Sequence, residues 1–180
     1  MQDSEWGVLP LYSFNPNLNL DVTGLYNTIV NEHLQYDYIA DPGSSFILRP
    51  SAELELIYDA FMQLATSTFG PLTLLTNNSR RAWGHITNKD YYTGGVHNHI
   101  RTSVINGVYY LTVPTNTIAG AGTISFYHTV EESSEIKRYQ PSPGELIIMP
   151  NWLYHQPHQS YTDTYRIAIN VELQCAPVVW

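Results

Sequence analysis

Two histidines one residue apart, His97 and His99, stand in the run Gly94-Gly95-Val96-His97-Asn98-His99. On an extended strand the side chains of residues i and i+2 share a face, so both imidazoles can reach one ion. Neutral imidazole binds borderline divalent metals well. A second pair, His155 and His158, follows the segment Met149-Pro150-Asn151-Trp152-Leu153-Tyr154. Either member can complete a three-point facial site that leaves positions open for small ligands. A bare His-x-His is equally compatible with two surface histidines on an edge strand. His33, His85 and His128 lack such spacing and read as structural or surface residues, although His85 beside Trp83 is compatible with a pocket wall.

The next informative residue is a cation. Arg166 lies in Tyr165-Arg166-Ile167-Ala168-Ile169-Asn170-Val171, where Ile167, Ile169 and Val171 fill one strand face. Arg166, Ala168 and Asn170 share the other. A guanidinium on a half-buried strand is costly unless paired, and its planar fork suits a carboxylate. The carboxylate belongs either to an intramolecular salt bridge or to a bound small molecule, for which Ala168 leaves room. Tyr109 and Tyr110 alternate on their own strand, so one faces the core and the other is free to donate its phenol into a site. An open imidazole site beside an inward guanidinium points to a metal-dependent oxygenase.

These residues need a frame. Val22, Leu25, Ile29, Val30 and Leu34 recur at helical spacing, predicting a helix over 21–36 with Asp21 as its N-cap. A second helix is expected over 51–68, started by Ser51 and burying Leu54, Ile57, Tyr58, Phe61, Met62 and Leu64. Residues 8–14 read as a short edge strand, where Pro10 is tolerable. Beyond Gly70-Pro71 short strands alternate with turns, over 72–76, 80–88, 96–100, 104–113, 122–127, 136–139, 145–149 and 165–174. No helical crossover interrupts them, which excludes a parallel α/β sheet. The expected fold is therefore an all-β core flanked by N-terminal helices, a jelly roll in the α+β class.

Composition bounds the function. The 180 residues carry 8 Lys+Arg against 16 Asp+Glu, a net charge of −8. That balance argues against a nucleic-acid or anionic-membrane partner, since both require a basic footprint. An apolar fraction of 43% with 14 Tyr and 11 Pro is that of a globular, β-leaning chain. One domain spanning 1–180 is expected, with 1–70 as helical support and 72–174 as jelly-roll core. Cys175 is the single cysteine, so neither an intramolecular disulfide nor a cysteine-rich metal site is available. The first residues lack a signal-peptide pattern and no stretch reaches a membrane span, which predicts a soluble, cytoplasmic protein. Oligomeric state leaves no trace in the sequence. Glu131-Glu132-Ser133-Ser134-Glu135 reads as a solvated turn, and loops 86–95 and 128–142 as the walls that select a substrate.

The segment from His97 to Leu111, with its Asn106-Gly-Val-Tyr-Tyr-Leu111 tail, resembles the core of the 2-oxoglutarate/Fe(II)-dependent oxygenases, in particular a prolyl-4-hydroxylase-like group with His-x-His. Further parts match in order: Gly122–Phe126, Pro143–Pro150, Trp152–His155 and Arg166–Asn170. The likeness covers about residues 80 to 173. It implies a double-stranded β-helix, cupin-like in build, with Fe(II) held by His97, His99 and His155. It further implies that Arg166 pairs with the distal carboxylate of 2-oxoglutarate, assisted by Tyr110, and that a substrate is hydroxylated with release of succinate and CO2. Three departures accompany it. His99 occupies a position usually held by Asp, Asn106 stands where Ser is usual, and Ala168 removes a hydroxyl beside the arginine. Two other readings fit the same residues: a three-histidine cupin-like metalloenzyme that does not use 2-oxoglutarate, and a non-enzymatic jelly-roll binding or structural protein.

Overall fold

In the computed structural model, which describes residues 9–35, 45–75, 81–90, 94–101, 103–115 and 118–180, two helices cover one face of a large sheet. Helix α1 runs Val22–Gln35, and the backbone N–H of Gly24 donates to the Asp21 carboxylate at 2.9 Å, the cap expected of that residue. Helix α2 spans Ala52–Phe69 and starts at Ser51, whose hydroxyl accepts from the Leu54 N–H at 3.3 Å. It ends on Gly70 at φ +82°, a left-handed conformation that glycine adopts without a Cβ penalty. Leu54, Ile57, Tyr58, Phe61 and Ala65 are its buried face, while Met62 and Leu64 pack only partly against the core.

The strands are β1 (Tyr12–Phe14), β2 (Ser45–Ile47), β3 (Arg81–Thr87), β4 (Ile105–Thr112), β5 (Ile124–Tyr127), β6 (Glu135–Tyr139), β7 (Leu146–Pro150), β8 (Tyr154–Pro157) and β9 (Arg166–Leu173). A six-stranded sheet has the order β1-β7-β4-β9-β3-β2, and a three-stranded sheet the order β6-β5-β8. Every pairing is antiparallel. This is the expected double-stranded β-helix with helices packed outside it.

Period-two alternation divides the central strands between two cores. Ile105, Tyr109, Leu146, Ile148, Ile167, Ile169 and Val171 face the helices and meet Leu25, Ile29, Ile57 and Phe61. Val108, Tyr110, Ile147, Met149 and Ala168 face the smaller sheet and meet Ile124, Phe126 and Leu153. Gly107 permits the closest approach of α2, since a Cβ there would lie 2.7 and 2.8 Å from the Phe61 ring. A bulge between Tyr110 and Thr112 shifts the β4–β9 register beside Arg166.

Three expectations about strands need correction. The edge strand predicted over 8–14 is reduced to β1, with residue 8 outside the described residues. Segment 72–76 forms only the single bridge Leu74–Cys175, with residue 76 outside the described residues. Segment 96–100 is likewise no strand: it makes one bridge, His97–His155. Gly94 and Gly95 precede it and a turn follows directly, so too few residues remain for a ladder. Conversely β2 and β8 were not anticipated, because each is very short, and β8 (Tyr-His-Gln-Pro) carries no β-branched residue and ends on proline.

Candidate metal and co-substrate site

His97, His99 and His155 converge between the two sheets, with one ring nitrogen from each lying within 4.8 Å of the others. Backbone bonds place them. The His97 N–H donates to the His155 carbonyl at 3.0 Å and the His155 N–H to the His97 carbonyl at 2.9 Å. The His99 N–H reaches the Asn151 carbonyl at 2.8 Å, so the turn after β7 anchors the second imidazole. Register does the rest for His155: it pairs with Phe126, whose side chain lies in the inter-sheet core.

Each ring has an acceptor behind it. Nδ1 of His97 lies 3.0 Å from the Gly95 carbonyl, Nδ1 of His155 lies 3.0 Å from the Leu153 carbonyl, and Nδ1 of His99 lies 2.8 Å from Glu172 Oε1. A carbonyl can only accept, so Nδ1 carries the proton in His97 and His155 and Nε2 keeps its lone pair. His99 Nε2 and His155 Nε2 are 3.3 Å apart. Two ligands at about 2.1 Å from one metal would be roughly 3.0 Å apart at a right angle and roughly 3.4 Å apart in a tetrahedron. The spacing therefore suits a divalent metal.

Protonation agrees with that role. Burial lowers the pKa of His155 well below the ordinary imidazole value, and the neighbouring His97 and His99 push the same way against the Leu153 carbonyl. His97 is more exposed than His155, and what burial it has lowers its pKa, with the Gly95 carbonyl opposing. Both rings are neutral at neutral pH and need not shed a proton before binding a cation.

A cavity of about 370 Å³ opens on this cluster, lined by Trp83, His85, Val108, Tyr110, Arg166, Ala168, Asn170 and Glu172 among others. That volume is in the range of small-molecule sites. Arg166 is 0% exposed, and its Nε and Nη1 make no hydrogen bond among the described residues. The Tyr110 ring centre lies 5.1 Å from the guanidinium carbon, and the Tyr110 hydroxyl is equally without a hydrogen bond. Burial lowers the arginine pKa, with Tyr110 partly offsetting it, and burial raises that of Tyr110. Buried donors without partners are expensive, so this end of the cavity is built to receive an acceptor.

The structure separates residues the sequence left together. Tyr110 faces the cavity and Tyr109 the helix-side core. His158 lies away from the imidazole cluster: its Nε2 is 2.7 Å from the Ser125 hydroxyl, on the opposite face of β5 from Ile124 and Phe126. Of the two loops expected to shape the cavity, Gly94 lines it and residues 91–93 lie outside the described residues, whereas nothing in 128–142 does. That second segment instead turns through Glu132–Ser134 into β6 at the rim of the smaller sheet.

Two contributors escaped sequence reasoning, and a third was read only as a structural residue compatible with a pocket wall. That third, His85, lines the cavity at 6% exposure, and burial, Arg166 and His97 together lower its pKa to about 3. Thr87 pairs directly opposite Arg166 in the β3–β9 ladder, is fully buried, and has an unbonded hydroxyl. Glu172 stands behind His99. Alternation on β3 through Trp83, His85 and Thr87 was the available signal, but the strand order that sets β3 beside β9 is not a local property.

Residues 81–172 match the family model described as "Putative 2OG-Fe(II) oxygenase". The chain belongs to this family of 2-oxoglutarate- and Fe(II)-dependent oxygenases. Solved structures share the fold. A prolyl-4-hydroxylase from Pseudomonas putida is 11% identical with a TM-score of 0.58, covering 93% of each chain. A prolyl hydroxylase from Trichoplax adhaerens, in complex with a hypoxia inducible factor oxygen degradation domain peptide, is 12% identical with a TM-score of 0.64, covering 91% of this chain and 83% of its own. The viral collagen prolyl hydroxylase of Paramecium bursaria Chlorella virus-1 is 12% identical with a TM-score of 0.57, covering 92% and 90%. No curated protein matches the sequence. No helix among the described residues is long and apolar enough to cross a membrane.

Proposed function

We propose that this oxygenase holds Fe(II) through Nε2 of His97, His99 and His155, binds 2-oxoglutarate with its distal carboxylate on Arg166, and hydroxylates its substrate. The observation that carries the reading is the pairing of two chemistries across one cavity. At one side one ring nitrogen from each of three imidazoles lies within 4.8 Å of the others. At the other a buried guanidinium and a phenol have donors without acceptors. Bound iron with 2-oxoglutarate supplies the oxidising chemistry, in which O2 is consumed and succinate and CO2 are released.

The chain's own residues do the rest. Gly95, Leu153 and Glu172 hold the Nδ1 protons and so fix which nitrogen faces the metal. Arg166 receives the anion in a water-poor pocket, where a charge-assisted bidentate pair is strong. Tyr110 and Thr87 offer hydroxyls beside it, Thr87 from the position opposite Arg166 on the facing strand. His85, neutral and opposite Ala168, fills the wall between the anion end and the metal end. Trp83, Val108, Ile124 and Pro157 line the cavity with apolar surface that excludes competing solvent. We read residues 1–180 as one oxygenase domain. An anaerobic titration with Fe(II) and then 2-oxoglutarate tests the proposal through the visible metal-to-ligand charge-transfer band. Iron binding without that band, and turnover without succinate, would select the three-histidine enzyme that does not use 2-oxoglutarate.

A further inference from the structure

Three neutral imidazoles bring no negative charge to a divalent cation. The cavity already contains the Arg166 guanidinium, so a metal there adds further positive charge to the same space. One carboxylate lines the cavity among the described residues, and it is Glu172. It is 6% exposed, and its Oε1 lies 2.8 Å from Nδ1 of His99. His97 and His155 differ, since each has a neutral carbonyl behind it. Glu172 also shares its face of β9 with Arg166, six residues away, or about 20 Å along the strand. One strand thus presents an anion beside the imidazole cluster and a cation at the far end.

We infer that Glu172 is the positioning residue of the metal centre: by accepting the Nδ1–H of His99 it fixes that ring's tautomer and orientation and supplies, one residue back, the negative charge the ligands lack. A carboxylate accepting from a ligand imidazole also makes the imidazole more basic toward the metal. The inference rests on the reading of His97, His99 and His155 as metal ligands. Glu172 acts through His99, so its effect depends on what stands at position 99. With His99 the carboxylate has a donor to accept from. With Asp at 99 it would face a second carboxylate with no proton between them, and the inner ligand would already carry the charge.

That dependence gives the test. Co(II) is titrated into metal-stripped full-length protein, followed by visible absorption and by calorimetry, for wild type, Glu172→Gln, His99→Asp and the double variant. Glu172→Gln is expected to weaken Co(II) binding about 10- to 100-fold in the wild-type background. In the His99→Asp background the same change is expected to leave affinity unaltered or to raise it. A loss below about twofold in the wild-type background overturns the inference, and so does an equal loss in both backgrounds, which marks a purely structural role. Melting curves of the metal-free variants report folding. Should Glu172→Gln not fold, Glu172→Asp keeps the charge but retracts it by one methylene, and undiminished affinity there overturns the inference equally. Wild-type protein that binds no Co(II), or binds it undiminished after His97→Ala, removes the metal centre itself, whereas wild-type binding with an indifferent Glu172 removes only its positioning role.

Discussion

Arg166→Met separates a guanidinium kept for a ligand from one kept for the fold. The side chain is fully buried, two of its nitrogens make no hydrogen bond, and it is among the largest fully buried side chains of the protein. An unpaired buried charge costs several kcal/mol, and replacing buried ionic groups by apolar residues of similar volume is often stabilising by about 1–4 kcal/mol. At about 2–4 °C per kcal/mol for a domain of this size, ligand-free Arg166→Met should melt roughly 2–16 °C above wild type. Its response to 2-oxoglutarate should go the other way. Truncating one partner of a buried charge pair costs about 2–5 kcal/mol, so affinity should fall by at least about 30-fold. Scanning calorimetry with and without 2-oxoglutarate, with redox-inert Mn(II) in every sample, reads both effects. Wild type should gain about 2.7 kcal/mol at a ligand concentration 100 times its Kd, and the variant less than about 0.9 kcal/mol. A variant that melts far below wild type yet still responds to 2-oxoglutarate refutes the reasoning, because the guanidinium would then be paired within the protein.

Other outcomes follow from the same structure. His155→Ala should abolish Co(II) binding measured by absorption, while His158→Ala, whose ring meets Ser125 instead, should retain it. Metal-free stability should decline as pH falls from about 6.5 to about 3, because His85 takes up a proton when unfolded near its ordinary value and in the fold only near pH 3. That difference is worth at most about 5 kcal/mol, and denaturant melts of wild type and His85→Gln at several pH values isolate it: equal slopes in that window would show that His85 is solvated. Gly107→Ala should cost about 1–3 kcal/mol in a denaturant melt by driving a methyl into the Phe61 ring, and Phe61→Leu in the same chain should recover part of the loss.

What the chain reveals by itself is local. The period-two pattern of Arg166–Val171 predicted both faces of β9, and the structure places Ile167, Ile169 and Val171 against the helices and Arg166, Ala168 and Asn170 along the cavity. Asp21 and Ser51 announced the helix starts because a cap is a contact between residues three apart. Side-chain alternation and capping depend only on neighbours in sequence, so they are legible there. Tertiary structure decided everything that depends on which strands lie side by side. That His155 and not His158 joins the imidazole cluster came from the β5–β8 register, which turns His155 inward with Phe126 and leaves His158 beyond the strand beside Ser125. The places of His85 and Glu172 on the cavity, and of Thr87 opposite Arg166, came from the order β4-β9-β3, which brings together residues roughly 65 to 85 positions apart. No periodicity in the chain encodes such pairings, because a strand carries the same alternating faces whichever partner it meets, and only the packed sheets decide what each face sees.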